Sequence, residues 1–186
     1  MELFIKICGI TNLEDARSAV SYGANALGFM MYEKSPRKIA KEEVLEIIKE
    51  LPEEVIPVMV FVNPSSEYVE RCLEVSSKLI PQFHGDETPA FCSSFGRDFL
   101  KALRVSGKED LQTIFESYSK SWMLLLDSYQ KNDFGGTGKA FEWKNLKEKE
   151  FNKPYLIGIH ISEGTKLPSG ETITDVIKSI NTDKIL

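Results

Sequence analysis

Two apolar strands separated by a capped helix occupy the first forty residues, and that order leaves few folds open. Phe4-Ile5-Lys6-Ile7-Cys8 reads as a strand that exits through Gly9. Thr11-Asn12-Leu13-Glu14 has the spacing of a capping box, with Thr11 expected to close the helix start and Glu14 to reach back. Leu13, Ala16, Ala19 and Val20 then recur at helical spacing, and Gly23 stands where a left-handed C-terminal cap belongs. A second apolar strand, Leu27-Gly28-Phe29-Met30-Met31, follows at once. Strand, helix and strand within about thirty residues form a βαβ unit, whose strands run parallel with a right-handed crossover.

The same alternation continues along the chain. Lys41 to Ile48 reads as a helix, and Val55 to Val62 is a continuous apolar run of the kind a strand covered on both faces shows. Asn63-Pro64-Ser65-Ser66 opens the next helix. Further strands are predicted at Leu79 to Phe83, Leu100 to Val105, Trp122 to Leu126 and Tyr155 to Ile161, which makes seven strand candidates. Pro81 counts against the fourth, because proline donates nothing to a central ladder. Lys139 to Asn152 is the weakest helix. No linker or low-complexity tract interrupts the series, so residues 1–186 are expected to form one domain. Seven or eight such units favour a closed (β/α) barrel over an open sheet. Length pulls the other way, since such barrels run to roughly 200 residues or more and this chain has 186.

Parallel α/β sheets gather reactive groups where strands end and loops open onto one face. Cys8 and Arg37 lie near such ends. Position alone favours reading Cys8 as a buried small hydrophobe, since free cysteine is among the most buried residues. Lys6 shares the Cys8 face of its strand by period-two alternation, where it either raises the local potential or forms a structural ion pair. The formal net charge of −5 gives no electrostatic reason to bind nucleic acid. Cys8, Cys72 and Cys92 are an odd number without metal-type pairing, and neither a secretory h-region nor a membrane-length apolar run is present. A reducing cytoplasm is the expected compartment, with no membrane partner. His84 and His160 are too isolated to make a metal case. Asp133-Phe134-Gly135-Gly136-Thr137-Gly138 lacks the ending of a P-loop and the spacing of a dinucleotide fingerprint, so no nucleotide cofactor is expected.

Five ordered blocks carry a resemblance. Lys6-Ile7-Cys8-Gly9-Ile10-Thr11, Gly23 to Phe29 with Ser35-Pro36-Arg37, Val60-Phe61-Val62-Asn63, Gln82-Phe83-His84-Gly85-Asp86-Glu87, and Leu124-Leu125-Leu126-Asp127 with Gly135 to Trp143 resemble the phosphoribosylanthranilate isomerase family in order and spacing. The resemblance implies a TIM-type (β/α) barrel and a cofactor-free Amadori rearrangement of N-(5-phosphoribosyl)anthranilate to its 1-deoxy-ribulose isomer, a step of tryptophan biosynthesis. It also implies Asp127 as general acid and Cys8 as general base, with Arg37 on the substrate carboxylate and His84 lining the mouth; Gly136 belongs to an expected active-site loop whose backbone amides can approach the substrate. The chemistry suits these residue types. Partial desolvation at a strand end favours the protonated carboxyl an acid needs, while a thiol acts as a base only near positive charge or a helix N-terminus. A guanidinium fork matches a flat carboxylate.

The resemblance fails in the last quarter. Tyr155-Leu156-Ile157-Gly158 has the spacing of the family's seventh strand, yet Ile161 to Gly170 reads more like its eighth loop. These alignments exclude each other, so the barrel is expected to be shortened near its seventh or eighth unit. The phosphate site then falls to Ser162 and Gly164, with Thr165 and Lys166 in support and Glu163 in opposition. A barrel that binds a phosphorylated ligand without turnover, or an isomerase of a related aminoaldose phosphate, are the alternative readings. An open edge in the strand ring makes a homodimer the expected assembly.

Overall fold

The computed structural model describes residues 4–105, 109–128 and 154–158. Seven strands form one all-parallel sheet in sequence order: β1 (Lys6–Cys8), β2 (Ala26–Met30), β3 (Ile56–Phe61), β4 (Ile80–Phe83), β5 (Leu100–Val105), β6 (Met123–Ser128) and β7 (Tyr155–Ile157). Helices α1 (Leu13–Ser21), α2 (Lys41–Lys49), α3 (Ser66–Leu73), α4 (Pro89–Ser93) and α5 (Leu111–Ser117) fill the first five crossings.

The helix starts come from local chemistry. Asn12, not Thr11, caps α1: its side-chain oxygen accepts from Asp15 N–H at 2.8 Å, and its amide donates to the Asp15 carboxylate at 2.7 Å. The expected capping box is thus displaced by one residue, because an asparagine side chain closes the same turn with both of its polar atoms. Gly23 ends the helix as predicted, at φ +93°. Ser65, Thr88 and Asp110 cap α3, α4 and α5 in turn.

Side chains alternate between two faces. Leu27, Phe29, Met59, Phe61 and Phe83 pack outward in one buried cluster with Ala16, Ala19, Val44, Ile47 and Val69 of the helices. Ala26, Val58, Val60 and Leu100 point the other way and pack with Phe4, Ile56, Ile80, Met123 and Leu156. That inner cluster draws on residues at or beside nearly every strand, which a flat sheet does not permit. The Phe4 and Trp122 rings, which precede β1 and β6, meet edge-to-face with centroids 5.7 Å apart. Five strand spacings of about 4.8 Å would separate them by roughly 24 Å in a flat sheet. The sheet is therefore curled into a partial barrel, and its inner face is the lumen.

Pro81 does lie within β4, opposite Met59 of β3. β5 pairs only from Gln82 onward, so Pro81 lies outside that ladder. Asp127 also lies within β6 rather than beyond it, in register with Arg104 of β5. The alternation of β6 then sends Leu124 and Leu126 outward against Phe115 and Asp127 to the opposite, inner face.

Candidate active site

The C-terminal ends of the strands carry the polar side chains of the lumen. On β1, Lys6 and Cys8 share the inner face, as their spacing predicts. A Cβ on Gly28 of the neighbouring strand would lie 2.7 Å from Cys8 Sγ and 2.9 Å from Lys6 Nζ. Glycine at that position leaves the thiol and the ammonium room to converge. Cys8 itself is exposed, contrary to what position alone suggests, because β1 ends there; its Sγ lies 3.9 Å from Met30 Sδ.

Arg37 comes from the loop after β2. That loop folds back on its own strand: Lys38 bridges in parallel to Met30, and Ile39 N–H donates to Met30 O at 3.1 Å. The turn brings Arg37 across to β1, where Nη1 donates to the Cys8 carbonyl at 3.0 Å. The guanidinium lies over Gly9, whose φ of +94° and lack of a side chain both suit glycine; a Cβ there would sit 2.8 Å from the Arg37 Cζ. Thiol and guanidinium thus sit at one corner of the sheet.

A second group converges at β4 and β6. His84 follows β4 directly, and its backbone N–H donates to Phe61 O at 2.8 Å. Its Nε2 lies 3.2 Å from Asp127 Oδ2, and its Nδ1 lies 3.1 Å from the side-chain nitrogen of Gln82. With the Gln82 amide nitrogen donating to Nδ1, an N–H on Nε2 is directed at the Asp127 carboxyl group. Asp127 is only 7% exposed. Phe83, immediately before His84, is fully buried among the rings of Phe61, Phe91, Phe95 and Phe99, so the residue entering the site is anchored.

Behind His84 stands an ion pair that sequence reasoning passed over. Lys101 Nζ lies 2.9 Å from Glu87 Oε2, with both side chains 3% exposed. Lys101 sits in an apolar strand, and its alternation with Leu100 and Ala102 is the signal that places it on the helix-facing side. Gln82 and Arg104 were also passed over, as polar positions within apolar strands. Gly136, Ser162 and Gly164, together with Glu163, Thr165, Lys166, His160 and the weak helix at Lys139 to Asn152, lie outside the described residues. Among the described residues no cluster of metal-binding side chains is present, and no helix is long and apolar enough to cross a membrane.

The arrangement offers a nucleophilic or basic sulfur and a buried carboxyl group, both on the inner face at the same end of the curled sheet. A guanidinium, that of Arg37, lies beside the thiol. A family model described as N-(5'phosphoribosyl)anthranilate (PRA) isomerase matches residues 5–162. An N-(5'-phosphoribosyl)anthranilate isomerase of Marinomonas sp. (strain MWYL1) is 39% identical over 180 residues, which cover 97% of this chain and 82% of the relative. Among solved structures, the phosphoribosyl anthranilate isomerase of Thermus thermophilus matches with a TM-score of 0.71 at 26% identity, covering 96% of each chain. Another phosphoribosyl anthranilate isomerase, crystallised with reduced 1-(o-carboxyphenylamino)-1-deoxyribulose 5-phosphate, matches with a TM-score of 0.63 at 37% identity, covering 69% of this chain and 66% of its own.

Proposed function

The chain belongs to the N-(5'-phosphoribosyl)anthranilate isomerase family, and from that premise we propose that Asp127 is its general acid and Cys8 its general base. The enzyme isomerises N-(5'-phosphoribosyl)anthranilate in tryptophan biosynthesis. The observation that supports the residue assignment is that an exposed sulfur and a sheltered carboxyl both lie on the inner face toward the C-terminal ends of their strands.

The rearrangement needs a proton delivered at one atom and removed at another. Asp127 protonates the furanose ring oxygen; the C1–O bond breaks as the anilino nitrogen lone pair forms the C1=N iminium. Cys8, as thiolate, takes the C2 proton, and the C–H electrons become the double bond of the enolamine. Loss of the enol O–H proton and protonation at C1 give the ketone, so the product is an isomer and the protons balance. Once Asp127 has given up its proton, the His84 Nε2–H remains 3.2 Å from Oδ2 and stabilises the carboxylate that forms. At the other end, Lys6 brings a positive charge beside the sulfur.

Arg37 spends one donor on the Cys8 carbonyl and keeps the rest of an exposed guanidinium for the anthranilate carboxylate. Arg37→Ala should therefore raise KM by about ten- to a hundredfold, the worth of a charge-assisted hydrogen bond, while kcat changes less. Lysine at position 37 should restore little of this, because a point charge cannot reproduce a planar fork. Steady-state kinetics on the aldosylamine read both parameters.

Thiol alkylation tests the Cys8 assignment directly. Burial pushes the Cys92 thiol up to about 12 and also raises that of Cys72, so both stay protonated and poorly nucleophilic at neutral pH. Cys8 is the one exposed thiol. Iodoacetamide on the native protein should label Cys8 alone, with activity lost in step with labelling and slowed by substrate. Full labelling of Cys8 with turnover intact would remove it from the chemistry.

A further inference from the structure

We propose that the buried Glu87–Lys101 ion pair is a positioning device for the reaction, fixing the loop after β4 so that His84 meets the Asp127 carboxyl. The inference rests on the reading of Asp127 as general acid. A pair this deeply buried is costly to desolvate, and apolar side chains of similar volume would fill the same space as well or better. What such side chains would not do is hold the backbone around His84.

Every donor of Lys101 is spent there. Nζ donates to Phe83 O at 3.2 Å, Gly85 O at 2.6 Å and Glu87 Oε2 at 2.9 Å, so its neutral acceptors are the carbonyls immediately before and after His84. Glu87 completes the bracket. Its Oε1 accepts from Asn63 N–H at 2.8 Å, and Gly85 N–H lies 3.1 Å from Oε1 and 2.9 Å from Oε2. From the β3 side Asn63, held at φ +47°, also accepts Asp86 N–H on its side-chain oxygen at 2.7 Å. From the α5 end, Tyr118 donates its hydroxyl to Glu87 O at 2.8 Å, and its ring centroid lies 5.9 Å from Lys101 Nζ. Loops after β3 and β4, strand β5 and the end of α5 are thus joined through two charges, and the one residue they enclose that reaches Asp127 is His84.

A positioning role has a signature that a stabilising role lacks. If Glu87 acts through His84, its loss costs turnover only while the imidazole is present. Glu87→Gln keeps the shape and one acceptor but sets a neutral amide against Lys101. It should lower kcat by about ten- to a hundredfold, the range for misplacement of a catalytic group by about an ångström, with KM within about threefold. In a His84→Ala background the same substitution should change kcat by less than about twofold, the non-additivity of residues acting as one unit. Asn63→Gly keeps the positive φ and removes the clamp on Asp86 from an exposed position, so it should fold; we expect a smaller loss of kcat, about three- to tenfold, that also vanishes without His84. Equal fold-losses with and without His84 would overturn the inference and leave the acid and base assignments standing. Should Glu87→Gln not fold, the Asn63→Gly pair decides alone, and an unchanged kcat there overturns the inference. A His84→Ala enzyme at full rate would overturn it too, since nothing would then need positioning.

Discussion

Asp127→Asn is expected to lower kcat by about a thousandfold, the middle of the range for losing a general acid, or roughly 4 kcal/mol of transition-state stabilisation. The substitution is nearly isosteric, and the amide oxygen can still accept from His84 Nε2, so the packing around residue 127 is preserved. What it loses is the acidic proton, and with it the means of breaking the C1–O bond without leaving an alkoxide. Steady-state turnover of the aldosylamine gives kcat, and a melting temperature within a few degrees of the parent shows that the fold is intact. Because the interaction exists only as the proton moves, kcat and kcat/KM should fall together. A rise in KM alone would make Asp127 a binding residue.

Cys8→Ser should cost a comparable factor, about a thousandfold in kcat, for the opposite reason. Serine occupies the same place over Gly28, but its hydroxyl ionises far less readily than a thiol and so supplies almost no base at neutral pH. Stability should not change, because Cys8 is exposed and its side chain completes no core. The contrast with Cys92 is sharp: that thiol is buried, and a hydroxyl in its place is desolvated. Loss of activity in Cys8→Ser therefore reports chemistry rather than folding, which circular dichroism on the same sample verifies.

The parallel order of the strands was legible because polar, helix-compatible segments separate the apolar runs, and a parallel crossover then dictates direction. The inner face was legible wherever alternation was clean, as at Lys6 and Cys8. Local signals misled where two neighbouring residues offer the same chemistry. Thr11 and Asn12 both cap helices, and only the backbone decides that Asn12 is extended at φ −152° and takes the role. Pro81 counts against β4 in the sequence because nothing there shows which stretch of β4 its neighbour β5 will use. Position alone makes Cys8 core, because thiols usually are, and only the resemblance makes it a base; its exposure follows from β1 ending at that residue. Glu87 and Lys101 were invisible for a deeper reason. Their partnership joins a loop to the next strand, and neither residue type is expected inside, so only tertiary placement shows that each makes the other's burial tolerable. The curl of the sheet is equally non-local, resting on contacts such as Phe4 with Trp122.

With Asp127 as acid and Cys8 as base, as proposed, the two act at different atoms in successive steps, and the kinetic isotope effect with substrate deuterated at C2 separates those steps. Cys8→Ser slows proton abstraction, so its isotope effect on kcat/KM should rise above that of the parent enzyme toward the full intrinsic value. Asp127→Asn slows ring opening, so its isotope effect should fall toward unity. The reverse pattern, or the same isotope effect in both variants, would contradict the assignment of acid and base.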